Sequence, residues 1–162
     1  MRYDSPMKNK VFGVLAGAII IGGAAIAFAQ SKPVSSRVAA TVWKTSTCGC
    51  CSLWVDHLRA NGFQVDVKDV SADAVRAVSK AAGLPDNGVS CHTAKIGNYV
   101  VEGHVPASDI QRMLKEKPAI AGIAAPGMPM GSPGMEQGGI KQAYDVVAFT
   151  KDGKMTVYSK HK

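Results

Sequence analysis

Residues 41–58, "TVWKTSTCGCCSLWVDHL", decide the fold. The stretch leading in, "VAATVWKTS", is built of small and β-branched residues and reads as a strand. The stretch leading out, "CSLWVDHLRANG", puts Leu53, Trp54, Val55 and Leu58 on one apolar face at helical spacing, and Asn61-Gly62 ends it. Between them Cys48, Cys50 and Cys51 fall within four positions. The first N–H groups of a helix have no partner inside it, and its dipole places partial positive charge there. A thiol at that place deprotonates more readily, and the thiolate is both the nucleophile and the metal ligand. Cys48 and Cys51 have the spacing of a redox dithiol. Cys50 is one sulfur more than that task needs, because a third thiol competes in exchange.

Working outward, "FQVDVKDV" alternates apolar and polar as a strand does, and "SADAVRAVSKAAG" reads as a helix with a Ser N-cap and Asp73 in its first turn. "HTAKIGNYVVEG" reads as two short strands turning at Gly97-Asn98, and "ASDIQRMLKEK" as a third helix with Pro106 just before it. A loop rich in Pro, Gly and Met spans 126–139, and "YDVVAFTKDGKMTVYSK" closes the chain as a hairpin around Asp152-Gly153. The order β-α-β-α-β-β-α, a loop, then a hairpin predicts an α/β protein. Strands separated by helices are expected to pair in parallel through right-handed crossovers, and the later hairpins make the sheet mixed. A dithiol between the first strand and the first helix is the thioredoxin arrangement. The expected fold is therefore thioredoxin-like, three-layered, with a mixed sheet, carrying the Met/Gly/Pro-rich loop and a C-terminal β-hairpin.

Ahead of this domain, Arg2, Lys8 and Lys10 precede an apolar run over 11–29 that ends in "AFA". That pattern reads as a secretory signal peptide; the 19-residue run is also long enough for a retained membrane anchor. Either way the remainder is expected outside the cytoplasm, in the periplasm, touching a membrane only through 1–29 if that segment stays attached. Residues 30–38 read as a linker, and 39–162 as the domain. Without 1–29, which carries Arg2, Lys8, Lys10 and Asp4, the net charge falls from +7 to +5. These charges are scattered, with no basic stripe interleaved with aromatics, which argues against nucleic acid as a partner. "GIAAPGMPMGSPG" has glycines without the strand–turn–helix setting of a phosphate loop.

"CGCC" after the first strand, "SCHTA", "VVEGHVPASDI" and "PGMPMGSPGME", in that order from Ala40 to Tyr158, resemble the CopG-like family of periplasmic copper-associated proteins. The resemblance implies a thioredoxin-like fold, Cu(I) held by cysteines and a role in copper handling, with other periplasmic copper-handling proteins as partners. The residues support that implication on their own terms. Clustered soft thiolates suit Cu(I), whereas a tetrahedral zinc site favours two well-spaced pairs of ligands, so copper is expected over zinc. Gly49 lets Cys48 and Cys50 turn toward one point. Cys91 stands just before the third strand, where thioredoxin-like proteins carry a cis-proline; here it is expected as the fourth sulfur ligand. A thiol–disulfide oxidoreductase using Cys48 and Cys51 is the alternative function.

His104, in "EGHVP", is expected beside Cys91 as an imidazole ligand suited to copper as Cu(I) or Cu(II). His92, next to Cys91, is expected to point to the opposite face and to be structural or supporting. Met128, Met130 and Met135 are candidate thioether ligands, or simply pack the loop. His57 is read as a surface or core-edge residue and His161 as part of the tail. Met113, Met155, Trp43 and Trp54 are read as core.

Overall fold

The computed structural model describes residues 37–162; the segment 1–29 read as a signal or anchor, and most of the stretch 30–38 read as a linker, lie outside the described residues. Among the described residues no helix is long and apolar enough to cross a membrane. The elements are β1 (Val38–Lys44), α1 (Gly49–Ala60), β2 (Phe63–Asp69), α2 (Ala72–Ala81), β3 (His92–Ile96), β4 (Tyr99–Glu102), α3 (Ala107–Glu116), β5 (Gly122–Ala124), β6 (Tyr144–Phe149) and β7 (Met155–His161). They form one seven-stranded mixed sheet in the order β2-β1-β3-β4-β5-β6-β7.

Local sequence explains most boundaries. α1 stops at Asn61, followed by Gly62 at φ +88. Ser71 caps α2 by accepting from the Ala74 N–H at 3.2 Å. Gly97, at φ +59, and Asn98 close the β3–β4 hairpin between the paired residues Ile96 and Tyr99. The parallel rule holds for β1 and β2, joined through α1. It fails for β3, which follows α2 but crosses to the far side of β1 and runs antiparallel to it. β5 was not foreseen. It is parallel to β4 and antiparallel to β6, and so fuses the C-terminal hairpin into the sheet. Its three residues, Gly-Ile-Ala, are too few to show a period of two.

Successive strand residues face opposite sides, and both sides are covered. Val42, Ala94, Ile96, Val101, Ile123 and Val146 face one way and share a core with Trp54, Val55 and Leu58 of α1 and Ile110 and Met113 of α3. Ala124 and Phe149 face the other way in a smaller core with Leu84, against which Met155 packs. α2 lies on this second side, where Thr93 Oγ1 approaches the Val75 carbonyl at 3.4 Å. Trp54 is fully buried, as expected; Trp43 is only partly so.

Candidate metal centre

One end of the sheet gathers every segment singled out by its chemistry. Lys44, the last residue of β1, pairs with His92, the first of β3. Thr93 pairs with Glu102, the last residue of β4, and Glu102 pairs with Ala124, the last of β5. The cysteine segment, the Cys91 loop, the His104 loop and the 126–139 loop therefore all leave the sheet at the same end. The unforeseen β5 is what sends the methionine-bearing loop there.

Cys48 is the N-cap of α1, with Cys50 and Cys51 in its first turn. Cys48 and Cys51 form a disulfide, and Cys50 and Cys91 are free. Cys50 Sγ lies 3.6 Å from Cys48 Sγ, and Cys91 Sγ 3.5 Å from Cys51 Sγ. All four sulfurs lie within 4.8 Å of one another. Cys51 is fully buried, while the other three are partly exposed. Burial, reinforced by Cys50, pushes the Cys91 thiol up to about 12.

Two imidazoles join the sulfurs through Cys91. Its Sγ stands 3.2 Å from His104 Nε2 and 3.3 Å from His92 Nδ1. These three donor atoms also fall within 4.8 Å of one another. His92 does not point away from Cys91. The alternation rule applies within a strand, and Cys91 sits in the bend before β3 begins. The His92 ring rests against Trp54, centroids 4.3 Å apart, and meets His104 edge-on at 4.9 Å. Burial, with help from the neighbouring His104, lowers His92 to about 3, so it is neutral at physiological pH; its Nε2 is buried without a partner. Burial also lowers His104, partly offset by its contact at 2.8 Å between Nδ1 and the Pro133 carbonyl. That contact leaves Nε2 facing Cys91. Both rings thus present nitrogen lone pairs rather than positive charge, which is the form a metal takes.

The 126–139 loop is docked by its backbone. Pro133 holds His104, and Gly134, at φ +85, lies so close to α1 that a Cβ there would sit 2.7 Å from the Cys50 carbonyl and 2.8 Å from the Trp54 nitrogen. Ser90 Oγ donates to the Gly127 carbonyl, tying the Cys91 loop to the same segment. Gly103, at φ +70, allows a similar approach; a Cβ would fall 2.5 Å from the Ser90 side chain. Of the three loop methionines, Met128 lines a cleft with Cys91. Met130 and Met135 do not line the clefts beside Cys91; their backbones are bonded to Gln142 and to Gly131 and Ser132.

Solved structures of copper resistance protein CopG match this fold over nearly their whole length. Form 2 aligns at a TM-score of 0.71 and 45% identity, covering 78% of this chain and 99% of the CopG chain. Form 1 aligns at 0.71 and 43% identity, covering 77% and 98%. The chain belongs to the CopG family. Residues 88–135 also match a family described as a protein of unknown function, DUF411. Among curated proteins none matches the chain.

That DUF411 stretch contains Cys91, His92, His104 and most of the docked loop but none of the CxCC cysteines. Within this CopG-family chain, Glu102 escaped the sequence reading altogether, and His57 and His161 have contacts that reading did not give them. Glu102 is fully buried; its Oε1 accepts from the Ser90 N–H at 2.8 Å and its Oε2 from Thr93 Oγ1 at 2.6 Å, so it fixes the residue before Cys91. Burial raises its carboxyl to about 7, against the pull of those two donors and of the Arg76 charge. Trp54 donates its Nε1–H to the Val105 carbonyl at 2.9 Å, and His57 Nε2 accepts from the Ala107 N–H at 3.0 Å. α1 thereby grips both sides of the turn that follows His104. His161 is not idle tail: its Nε2 lies 2.7 Å from Asp109 Oδ2, pinning β7 to α3. The one sequence signal for Glu102 was an acidic residue ending an otherwise apolar strand.

Proposed function

We propose that this CopG-family chain is an exported, periplasmic copper-handling protein that binds Cu(I) with Cys48, Cys50, Cys51 and Cys91 once Cys48–Cys51 is reduced. The observation that carries this reading is the set of four sulfurs within 4.8 Å of one another, joined through Cys91 to two neutral imidazoles. Four thiolates this close repel one another and need bound cations to share, and soft Cu(I) is the first-row ion that best suits bridging sulfur. Likeness to copper resistance protein CopG supports copper as the cargo. Each thiol must release its proton to bind, so Cu(I) affinity rises with pH. His104, with His92, supplies the nitrogen that would let a bound copper also exist as Cu(II). Met128 is the loop thioether placed to assist. We read β1 to α3 as thioredoxin-like, from the order β2-β1-β3-β4 and the dithiol opening α1.

Anaerobic Cu(I) titration of the reduced protein against a competing chelator tests the reading. Wild type takes up more than one Cu(I) per chain with loss of free thiols. Cys91→Ser keeps the fold and lowers stoichiometry or affinity by tenfold or more, because it removes the sulfur that both imidazoles touch. His104→Ala retains Cu(I) but loses or alters the protein-bound Cu(II) signal in electron paramagnetic resonance. Unchanged binding in Cys91→Ser removes Cys91 from the site, and an unchanged Cu(II) signal removes His104. The Cys48–Cys51 disulfide favours a second reading, thiol–disulfide exchange. Reduction of insulin disulfides without copper uptake would select it.

A further inference from the structure

We infer that the cleft beside the cysteines is a docking site for a small thiol that carries a carboxylate, and that this thiol reduces Cys48–Cys51. The inference builds on the copper reading only in that the reduced site is the one that accepts metal. Cys51 is fully buried, so an incoming nucleophile reaches the disulfide at Cys48. Cys48 opens onto a cleft of about 220 Å³ that it shares with Thr45, Arg76, Cys91 and Glu102. A water occupies roughly 30 Å³ of liquid, so the cleft takes a molecule of about half a dozen heavy atoms.

Arg76, on α2, supplies the selectivity. Its guanidinium is exposed, and among the described residues it forms no salt bridge. Glu102 in the cleft wall has both carboxyl oxygens engaged by Ser90 and Thr93. Lys44, at the end of β1, is already paired with Asp69 at 3.0 Å. Asp86 lines only the adjoining cleft, which Arg76 and Cys91 also border. A planar cation with several donors and no salt bridge among the described residues, whose charge is felt by Glu102 and which lines the same cleft as an accessible disulfide sulfur, matches a carboxylate at one end of a molecule and a thiolate at the other.

The chemistry balances. The thiolate attacks Cys48 Sγ and forms a mixed disulfide; the Cys48–Cys51 bond breaks, and Cys51 leaves as a thiolate that takes up a proton. A second thiol attacks the mixed disulfide, releases the small molecule as its symmetrical disulfide and returns Cys48 as a thiol. Two small thiols lose two electrons, which the protein disulfide gains with two protons.

The test is the rate of reduction of the metal-free, oxidised protein by 3-mercaptopropionate, 2-mercaptoethanol and cysteamine. Each rate is referred to the same thiol's reaction with an uncharged small disulfide, which removes differences in intrinsic nucleophilicity. The wild type reacts with mercaptopropionate about threefold or more faster than with cysteamine. Arg76→Ala loses most of that preference, Arg76→Glu reverses it and Arg76→Lys keeps it, while the mercaptoethanol rate, whose thiolate carries one negative charge rather than two, falls by less than the mercaptopropionate rate in Arg76→Ala and Arg76→Glu. The protein's overall positive charge also favours anions, so a preference that survives Arg76→Ala at full size overturns the inference, as does equal reactivity in the wild type. Chemically reduced Arg76→Ala binds Cu(I) as the wild type does. A wild type that binds Cu(I) when reduced but shows no preference among the thiols overturns this inference alone; a wild type that shows the preference but takes up no Cu(I) overturns the copper reading alone.

Discussion

At the scale of single residues, the four cysteines are close in space but not equivalent. Cys51 is sealed in the core and the Cys91 thiol is pushed up by burial, whereas Cys48 and Cys50 are partly exposed at the helix start. Alkylation of the reduced protein followed by mass spectrometry should therefore modify Cys48 and Cys50 before Cys91, and Cys51 last; early labelling of Cys51 contradicts the burial order. Glu102 makes a second prediction. Its carboxyl rises from 4.5 to about 7 in the fold, so the stability it lends is fully present below about pH 4.5 and is lost as pH rises through 7. In the metal-free protein, Glu102→Gln should match the wild type near pH 4 and exceed its stability by up to about 3 kcal/mol at pH 8, read by urea unfolding. His92, lowered to about 3, acts in the opposite sense, since its stability is lost as pH falls below its ordinary range. That contribution is common to both proteins and cancels in the comparison. The cysteines stood out as candidate ligands by residue type and spacing, and His104 by its expected loop position beside Cys91. Glu102 and His92 did not, because their roles depend on which face of the sheet a strand end presents.

At the scale of elements, the site depends on how α1 and the 126–139 loop meet. Replacing Gly134 with Ala forces a left-handed backbone on a residue with a Cβ, at roughly 1–2 kcal/mol, and drives that carbon into the Cys50 carbonyl. The loop should lift from α1 and release His104 from Pro133. We expect Gly134→Ala to cost about 2–4 kcal/mol in chemical denaturation and to weaken copper binding. Wild-type stability in this variant would show that the loop does not press on the helix. Helices α1 to α3 and both hairpins were readable from caps, periodicity and turn residues. β5 was not, because three small apolar residues carry no period, and the antiparallel course of β3 was not, because a helix between two strands does not say which edge the second one joins.

At the scale of the whole molecule, the core is built without sulfur ligation. The larger hydrophobic cluster draws on α1, α3 and strands from β1 to β6, and apart from Cys51 the cysteines lie outside the buried apolar set. The disulfide closes only a short loop, with a sequence separation of 3. Loop-closure entropy then assigns it about 2 kcal/mol. Reduced, metal-free protein should remain folded, with a Tm lower by less than about 10 °C and its near-ultraviolet circular dichroism retained. Loss of tertiary structure on reduction would mean that the cysteines hold the fold together. The α/β class and its mixed sheet were legible from the element order and the hairpin signals. The convergence of four loops at one end of the sheet was not, since it depends on the register and direction of every strand between them.

The loop over the cysteines is held by a carbonyl at Pro133 and by the absence of a side chain at Gly134. Nearly every amino acid brings the same carbonyl. Sequence drift at the exposed positions of 126–139 would leave the anchorage untouched as long as glycine stays at 134, the buried Ser132 keeps its bond to the Pro129 carbonyl and Glu136 still accepts from the Gly134 N–H. Thioethers, imidazoles or carboxylates can then appear and vanish on this segment over evolutionary time without disturbing the frame beneath. The fold keeps the sulfur chemistry fixed and leaves the outer rim of the site open to selection.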